Sequence, residues 1–337
     1  MSSSVNATAR PRSRTIPGSA FPPIRRSTNF RSVTSIAPGT SLFDLEYLGR
    51  IGHNATCFLD TPEGLAVVDP GPPSTYPRFQ DGLRAIGATL DDVRVVLVTH
   101  IHLDHAGATG WLAEAQPRLK VYVHERGAPH LVDPAKLIKS ATMFFGEENM
   151  LRLWGEVKPV PARCIVPLAG GERFRLGTRS IAAAHTPGHA VHHMAWYDES
   201  TGTAFTGEAL GIRVGSTEIP IPVTPPPDID VELMIASGEK VMEWKPERLF
   251  LPHFGAVSNP APFVQQHATR LVLWSERVRA SLAQAGTDEE RARRCRDQSR
   301  QDLEALLPKA LHDEIEEEAI YGNWFGLARY WRKRGVA

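Results

Sequence analysis

From residue 43 onward, apolar positions come in short bursts separated by turn residues. FDLEYLG (43–49), ATCFLD (55–60) and LAVVDPG (65–71) have the length and composition of β-strands, and TPEG at 61–64 makes the turn between the last two. STYPRFQDGLRAIG spaces Phe79, Leu83 and Ile86 as a helix does, with Gly87 as its stop. VRVVLVTH (93–100) is a continuous apolar run of buried-strand length, GATGWLAEAQP is a short helix, and KVYVHE (120–125) is another strand. Residues 128–160 read as broken helix with exposed-looking apolar groups, among them Met143, Phe144, Phe145, Met150, Leu153 and Trp154. Strands return in RFRLGTRSIAAAHTPG, HHMAWYDES and GTAFTGE. A Pro-rich loop, IPIPVTPPPDID (219–230), then leads to a helix at about 231–243, and RLFLPHFG (248–255) is one more strand. From about 261 the pattern is helical, with charged faces and an apolar stripe. Periodicity alone thus supports a mixed α/β core with hairpins, followed by helices.

Composition narrows the setting. The 337 residues are 42% hydrophobic, enough for one large domain or two moderate ones. Lys+Arg and Asp+Glu are 38 each, so no global basic field points to a nucleic-acid partner. Cys57, Cys164 and Cys295 are far apart and odd in number, which reads as reduced thiols in a cytoplasmic protein. No apolar run approaches the roughly 20 residues that span a bilayer, so no membrane association is expected. Residues 1–42 differ from the rest: six arginines, many Ser, Thr and Pro, and no acidic residue. They read as a disordered basic tail or, with the same composition, as an organelle transit peptide. The expected division is therefore tail 1–42, a mixed α/β domain 43–260 and helical extension 261–337.

The chemistry gathers at VTHIHLDHAG (98–107). His100, His102, Asp104 and His105 stand within six positions, directly after a buried strand. Neutral imidazole is the commonest metal ligand near physiological pH. Asp104 and His105, being adjacent, project differently from His100 and His102, which suits a second metal beside the first. Two metals some 3.5–4 Å apart are a standard hydrolytic arrangement.

HIHLDH resembles the HxHxDH signature of the metallo-β-lactamase superfamily, and the resemblance extends over roughly residues 43–257. It implies an α/β fold, an αββα sandwich, here with a C-terminal helical extension. It assigns His100 and His102 to one metal and Asp104 and His105 to the other. HTPGHA adds His189 to the first, and LPHFGA adds His253 to the second. VVDPG resembles the family's early strand-end aspartate, so Asp69 would hydrogen-bond a ligand or fix its loop; otherwise it is a turn residue before Gly71. FTGEAL departs from the pattern: where the family usually has an aspartate bridging both metals, this chain has Glu208, one methylene longer. The implied cofactors are two divalent ions, zinc first, with iron or manganese favoured by the oxygen-richer site.

The function that follows is a dinuclear metal-dependent hydrolase attacking a carbonyl carbon of a lactone, ester or thioester with a metal-bound hydroxide. Asp104 would orient that hydroxide and pass its proton to the leaving group. The substrate would be a small molecule, with a quorum-quenching-like lactone preferred. The alternative is a mononuclear iron persulfide dioxygenase of the same fold. Among the remaining histidines, His185 reads as structural, one of His192 and His193 could line the pocket, and His53 sits on a loop that borders the site in this fold. Residues 140–154 and the Pro-rich loop form either a greasy pocket wall or a packing surface for the C-terminal helices or a second subunit. The basic end of the chain, Arg329, Arg332, Lys333 and Arg334, reads as a solvated helix terminus, although thioester hydrolases resembling glyoxalase II hold glutathione with basic residues there. Trp274, Trp324, Tyr330 and Trp331 suggest that the helical tail packs, on itself or across a homodimer interface.

Overall fold

A computed structural model describes residues 33–336 as two packed β-sheets with helices on both outer faces. The first sheet runs in sequence order: β1 (Val33–Ala37), β2 (Thr40–Asp44), β3 (Ala55–Thr61), β4 (Gly64–Val68), β5 (Val93–Leu97), β6 (Lys120–His124) and β7 (Ile165–Leu168). Its first four strands pair antiparallel and its last four parallel. The parallel connections carry α1 (Tyr76–Ala85), α2 (Leu103–Ala106), α3 (Thr109–Ala115), α4 (Ala128–Val132), α5 (Ala135–Phe145) and α6 (Glu147–Leu153). The second sheet draws on β8 (Arg173–Leu176), β9 (Arg179–His185), β10 (Met194–Asp198) and β11 (Thr203–Phe205). After a short ribbon, β12 (Ile212–Arg213) with β13 (Pro220–Ile221), it adds β14 (Arg248–Leu251) and β15 (Gly255–Val257), giving the order β15-β14-β11-β10-β9-β8. Helices α7 (Val231–Glu243), α8 (Pro260–Leu282), α9 (Asp288–Glu304) and α10 (Glu317–Lys333) complete the chain.

Strand alternation builds the layers. Cys57 and Leu59 on β3 and Met194 and Trp196 on β10 point between the sheets, where they meet Val68, Leu97, Phe205 and Phe250. Phe58 on β3 faces the other way, onto Phe79 and Leu83 of α1, whereas Ala195 on β10 joins Val241 of α7 and Phe263 of α8. This is the expected αββα sandwich. The extension has its own core, where Leu271, Trp274, Leu303, Trp324 and Tyr330 pack together. The boundary at 260/261 falls at the start of α8, whose Phe263 packs on the second sheet, so that helix serves both units.

Two expectations change. Strands already occur before residue 43: β1 and β2 form a hairpin on the sheet edge. Arg179 of β9 holds its turn by donating to the carbonyls of Pro38 and Gly39 and to Thr40 Oγ1, a contact across about 140 positions that local composition does not reveal. Residues 1–32, on which the disordered-tail and transit-peptide readings otherwise rest, lie outside the described residues. Second, FDLEYLG is not one strand: β2 ends at Asp44, and Glu46 and Leu48 take left-handed backbone, φ 47° and 55°, on either side of Tyr47. Among the described residues no helix is long and apolar enough to cross a membrane.

Candidate metal centre

Every candidate ligand lies just past a strand end at one edge of the sandwich. Asp69 follows β4, His100 and His102 follow β5, and Asp104 and His105 lie on α2. His189 follows β9, Glu208 follows β11 and His253 follows β14. Loops at strand ends on a rigid sheet are where sites are built. The seven donor residues fall into two groups, His100–His102–His189–Glu208 and Asp104–His105–His253, with the donor atoms of each group within 4.8 Å of one another.

In the first group His100 Nε2 lies 3.0 Å and His189 Nε2 3.1 Å from His102 Nδ1. In the second, His105 Nε2 lies 3.3 Å from His253 Nε2, and both are 3.5 Å from Asp104 Oδ2. Ligands about 2.0–2.1 Å from a tetrahedral ion stand about 3.3–3.4 Å apart, so this spacing fits a cation at the centre of each group. Glu208 Oε2 lies between the groups, 2.9 Å from His189 Nε2, 3.3 Å from His100 Nε2 and 3.6 Å from His105 Nε2. One Glu208 oxygen thus lies within 3.6 Å of donors from both groups.

The nitrogens facing away from the centre support the same fit. His105 Nδ1 donates to Asp69 Oδ2 (3.1 Å), His189 Nδ1 to the Val223 carbonyl (3.1 Å) and His253 Nδ1 to the His53 carbonyl (2.6 Å). An acceptor at Nδ1 demands the proton there, which leaves the Nε2 lone pair pointing inward. The Thr99 hydroxyl donates to Asp69 Oδ2 (2.6 Å), so its oxygen can accept from His100 Nδ1 at 3.1 Å. Asp69 is 1% exposed and therefore orients a histidine of each group. Its φ of 49° is a left-handed value that aspartate tolerates better than most side chains.

Electrostatics differ between the two groups: against the cost of burial, the carboxylates raise the pKa of His105 and His253, so protons compete there with a cation, whereas His100 in the first group is held neutral. Burial, followed by the neighbouring His105 and His102, pushes His100 well below the usual imidazole range, so it is neutral at pH 7. Burial opposes charging of His105 too, but Asp104 and Asp69 outweigh it and raise its pKa. Burial would raise Glu208 and Asp104; the surrounding histidines outweigh it, holding Glu208 far below the carboxylate range and bringing Asp104 down to about 2. Close imidazole lone pairs beside ionised carboxylates are stable only with protons or cations between them.

Sequence reading did not single out Thr99, the Val223 carbonyl or the role of His193. His193 Nε2 accepts the Glu208 backbone N–H (3.2 Å), and its Nδ1 meets the Thr186 hydroxyl at 2.8 Å, so this buried ring fixes Glu208 from behind. His192 borders the first group, its ring 6.1 Å from that of His102, and His185 Nε2 meets the Val191 carbonyl. His53 stacks on Tyr47 (5.4 Å) and lies edge-on to His253 (6.1 Å). Trp154, with Phe145, Met150 and Leu153, packs on Tyr47, Leu48 and Leu103 rather than on the C-terminal helices, leaving Met143 and Leu151 77% and 73% exposed. At the basic end of the chain, Arg332 pairs with Asp288 and Arg334 with Asp230 and Glu232, while Arg329 donates to the Pro227 carbonyl.

A family model described as the metallo-beta-lactamase superfamily matches residues 49–253. A metallo-beta-lactamase fold-containing protein of Sulfurisphaera tokodaii is 28% identical over 197 residues, 57% of this chain and 71% of that protein. A hydroxyacylglutathione hydrolase of Gloeothece citriformis is 31% identical over 150 residues, 43% of this chain and 44% of that enzyme, so the chain spans less than half of that relative. A solved metallo-beta-lactamase family protein from Thermus thermophilus superposes with a TM-score of 0.67 over 89% of this chain and 95% of that one, at 19% identity, a likeness of fold.

Proposed function

The chain belongs to the metallo-β-lactamase superfamily, whose members are mostly metal-dependent hydrolases, and within it we propose that this protein is a dinuclear hydrolase of a small carbonyl substrate. The observation that carries the reading is the donor set itself: seven side chains in two groups, with Glu208 Oε2 between them and imidazole lone pairs held inward. Zinc suits this nitrogen-rich set best, with iron or manganese as alternatives given the carboxylates. Bound there, divalent ions would supply a water acidified towards neutral pH and positive charge for the developing oxyanion.

The chain's own groups do the rest. His100, His102, His189, His105 and His253 bind through fixed nitrogens, and Glu208 spans the groups. Asp104, ionised at neutral pH, takes the proton of the attacking water and passes it to the leaving atom as the bond from the carbonyl carbon to oxygen or sulfur breaks. Beside the site, Tyr47 stacks on His53 and on Trp154, and both Tyr47 and Trp154 are buried, so this cluster supports the loop that carries His53. Thioesters, esters and lactones are the substrate class. A thioester gains support from the relatives named hydroxyacylglutathione hydrolase, while a glutathione site built on Arg332 and Arg334 is disfavoured because both are engaged in ion pairs.

The test is metal content by ICP-MS on protein purified without added metal, with turnover of a lactone, ester and thioester panel in the same preparation. Two ions per chain and hydrolysis abolished by His105→Ala are expected. One iron per chain, with oxygen uptake on a persulfide and no hydrolysis, would overturn the reading in favour of the dioxygenase.

A further inference from the structure

Each donor group hangs one histidine on a support braced by the C-terminal helices. In the first group the support is the Pro-rich loop, whose Val223 carbonyl holds His189 Nδ1. Asn323 of α10 grips that loop on both sides of Val223. Its Nδ2 donates to the Pro222 carbonyl (2.7 Å), its Oδ1 accepts the Thr224 N–H (2.5 Å), and its own carbonyl accepts from the Thr224 hydroxyl (3.3 Å). Asn323 is 3% exposed, so these bonds do not compete with water. The helix lies so near that a side-chain carbon at Gly326 would collide with the Thr224 carbonyl.

In the second group the support is the loop before β3, whose His53 carbonyl holds His253 Nδ1. The His53 ring is fixed from the opposite side by Glu316, the residue just before α10: Glu316 Oε1 lies 2.9 Å from His53 Nδ1 and 2.8 Å from Arg50 Nη2. Both braces come from residues 316–323, two turns of chain about 60 residues beyond the last candidate ligand.

We infer that Asn323 and Glu316 are positioning residues of the metal centre, Asn323 acting through Val223 on His189 and Glu316 through His53 on His253. The inference rests on the reading that the two donor groups hold metal. It makes the helical extension part of the centre and not only a neighbouring unit. Outer contacts that orient a metal-bound histidine typically change metal affinity about 10- to 100-fold; one contact further out, about 10-fold is expected.

The experiment isolates one group at a time. Full-length His105→Ala, which keeps the first group, and His189→Ala, which keeps the second, are stripped with chelator and titrated with zinc against a chromogenic competitor. Adding Asn323→Ala should weaken zinc about 10-fold in the His105→Ala protein and by less than about 2-fold in the His189→Ala protein. Glu316→Gln should show the reverse pattern. Crossed selectivity is a result that general loosening of the fold cannot produce. Should Asn323→Ala fail to fold by circular dichroism, Asn323→Asp, which keeps the acceptor for Thr224 N–H and loses the donor to Pro222, replaces it. Equal constants in all four combinations, or equal weakening of both groups by each substitution, would overturn the inference while leaving the metal reading intact. A parent chain that binds no zinc would overturn the metal reading itself.

Discussion

Asp69 and Thr99 meet twice: the Thr99 N–H donates to Oδ1 at 2.8 Å and its hydroxyl to Oδ2 at 2.6 Å. The same Oδ2 takes the His105 Nδ1 proton, so one carboxylate joins the ends of β4 and β5 and sets imidazoles on both sides of the centre. Asp69→Ala removes all three acceptor contacts. Zinc affinity should fall about 10- to 100-fold, read by chelator competition, and Asp69→Asn should not restore it, since an amide cannot serve Thr99 and His105 as a charged acceptor does. Unchanged affinity would show that the histidines hold their orientation without it.

Glu208 reaches both groups through one oxygen, so its length and charge have separable effects. Glu208→Gln keeps the length and loses the anionic donor; the bound metal should drop towards one ion per chain, with hydrolysis reduced at least about 10-fold. Glu208→Asp keeps the charge and should retain more metal than Glu208→Gln. The reverse order by ICP-MS would mean that reach matters more than charge.

His193 acts on Glu208 through the main chain. His193→Phe leaves the Glu208 N–H without its acceptor in a buried place, which costs about 1–3 kcal/mol of stability in urea unfolding. Metal affinity should fall with it, whereas His192→Phe, one residue away with Nδ1 unbonded, should spare the Glu208 contact and lower affinity less.

Metal removal should destabilise the fold, because ions that bind only the native donor set add their binding free energy to it. At free zinc 100-fold above Kd each site contributes about 2.7 kcal/mol, so chelation should lower Tm by about 5 °C or more in calorimetry. A Tm insensitive to both chelator and added zinc would contradict the two-ion reading.

Away from the centre, buried His267 carries an acid liability. Burial, with Arg270 adding to it, brings its pKa from 6.5 down to about 3. Between those values the unfolded chain binds a proton that the folded chain does not, so stability falls as pH drops, by about 1.4 kcal/mol per pH unit from this group. His267→Leu removes that proton uptake. Urea midpoints measured from pH 7 to pH 4.5 should show the variant losing less stability than the parent, and parallel curves would refute the assignment.

Much of this protein is written in local pattern. Continuous apolar runs such as those of β3 and β10 carry the sandwich, since a strand buried on both faces turns successive residues to different layers. The crowd at 98–107 is legible because ligand chemistry depends on residue type, and the histidines at strand ends, His189 and His253, stand out in the same way; Glu208 becomes a candidate only through the resemblance to the family's pattern at FTGEAL. What tertiary structure alone decided is which groups stand behind those ligands. A backbone carbonyl such as that of Val223 or His53 has no residue signature, and an ordinary asparagine and glutamate at positions 323 and 316 become braces only because α10 folds back across the Pro-rich loop and the loop before β3. The same holds for the β1–β2 hairpin, secured by Arg179 from the other sheet. Side-chain type sets what a residue can bind; which partner it meets across a hundred positions is set by packing, and local periodicity does not encode it.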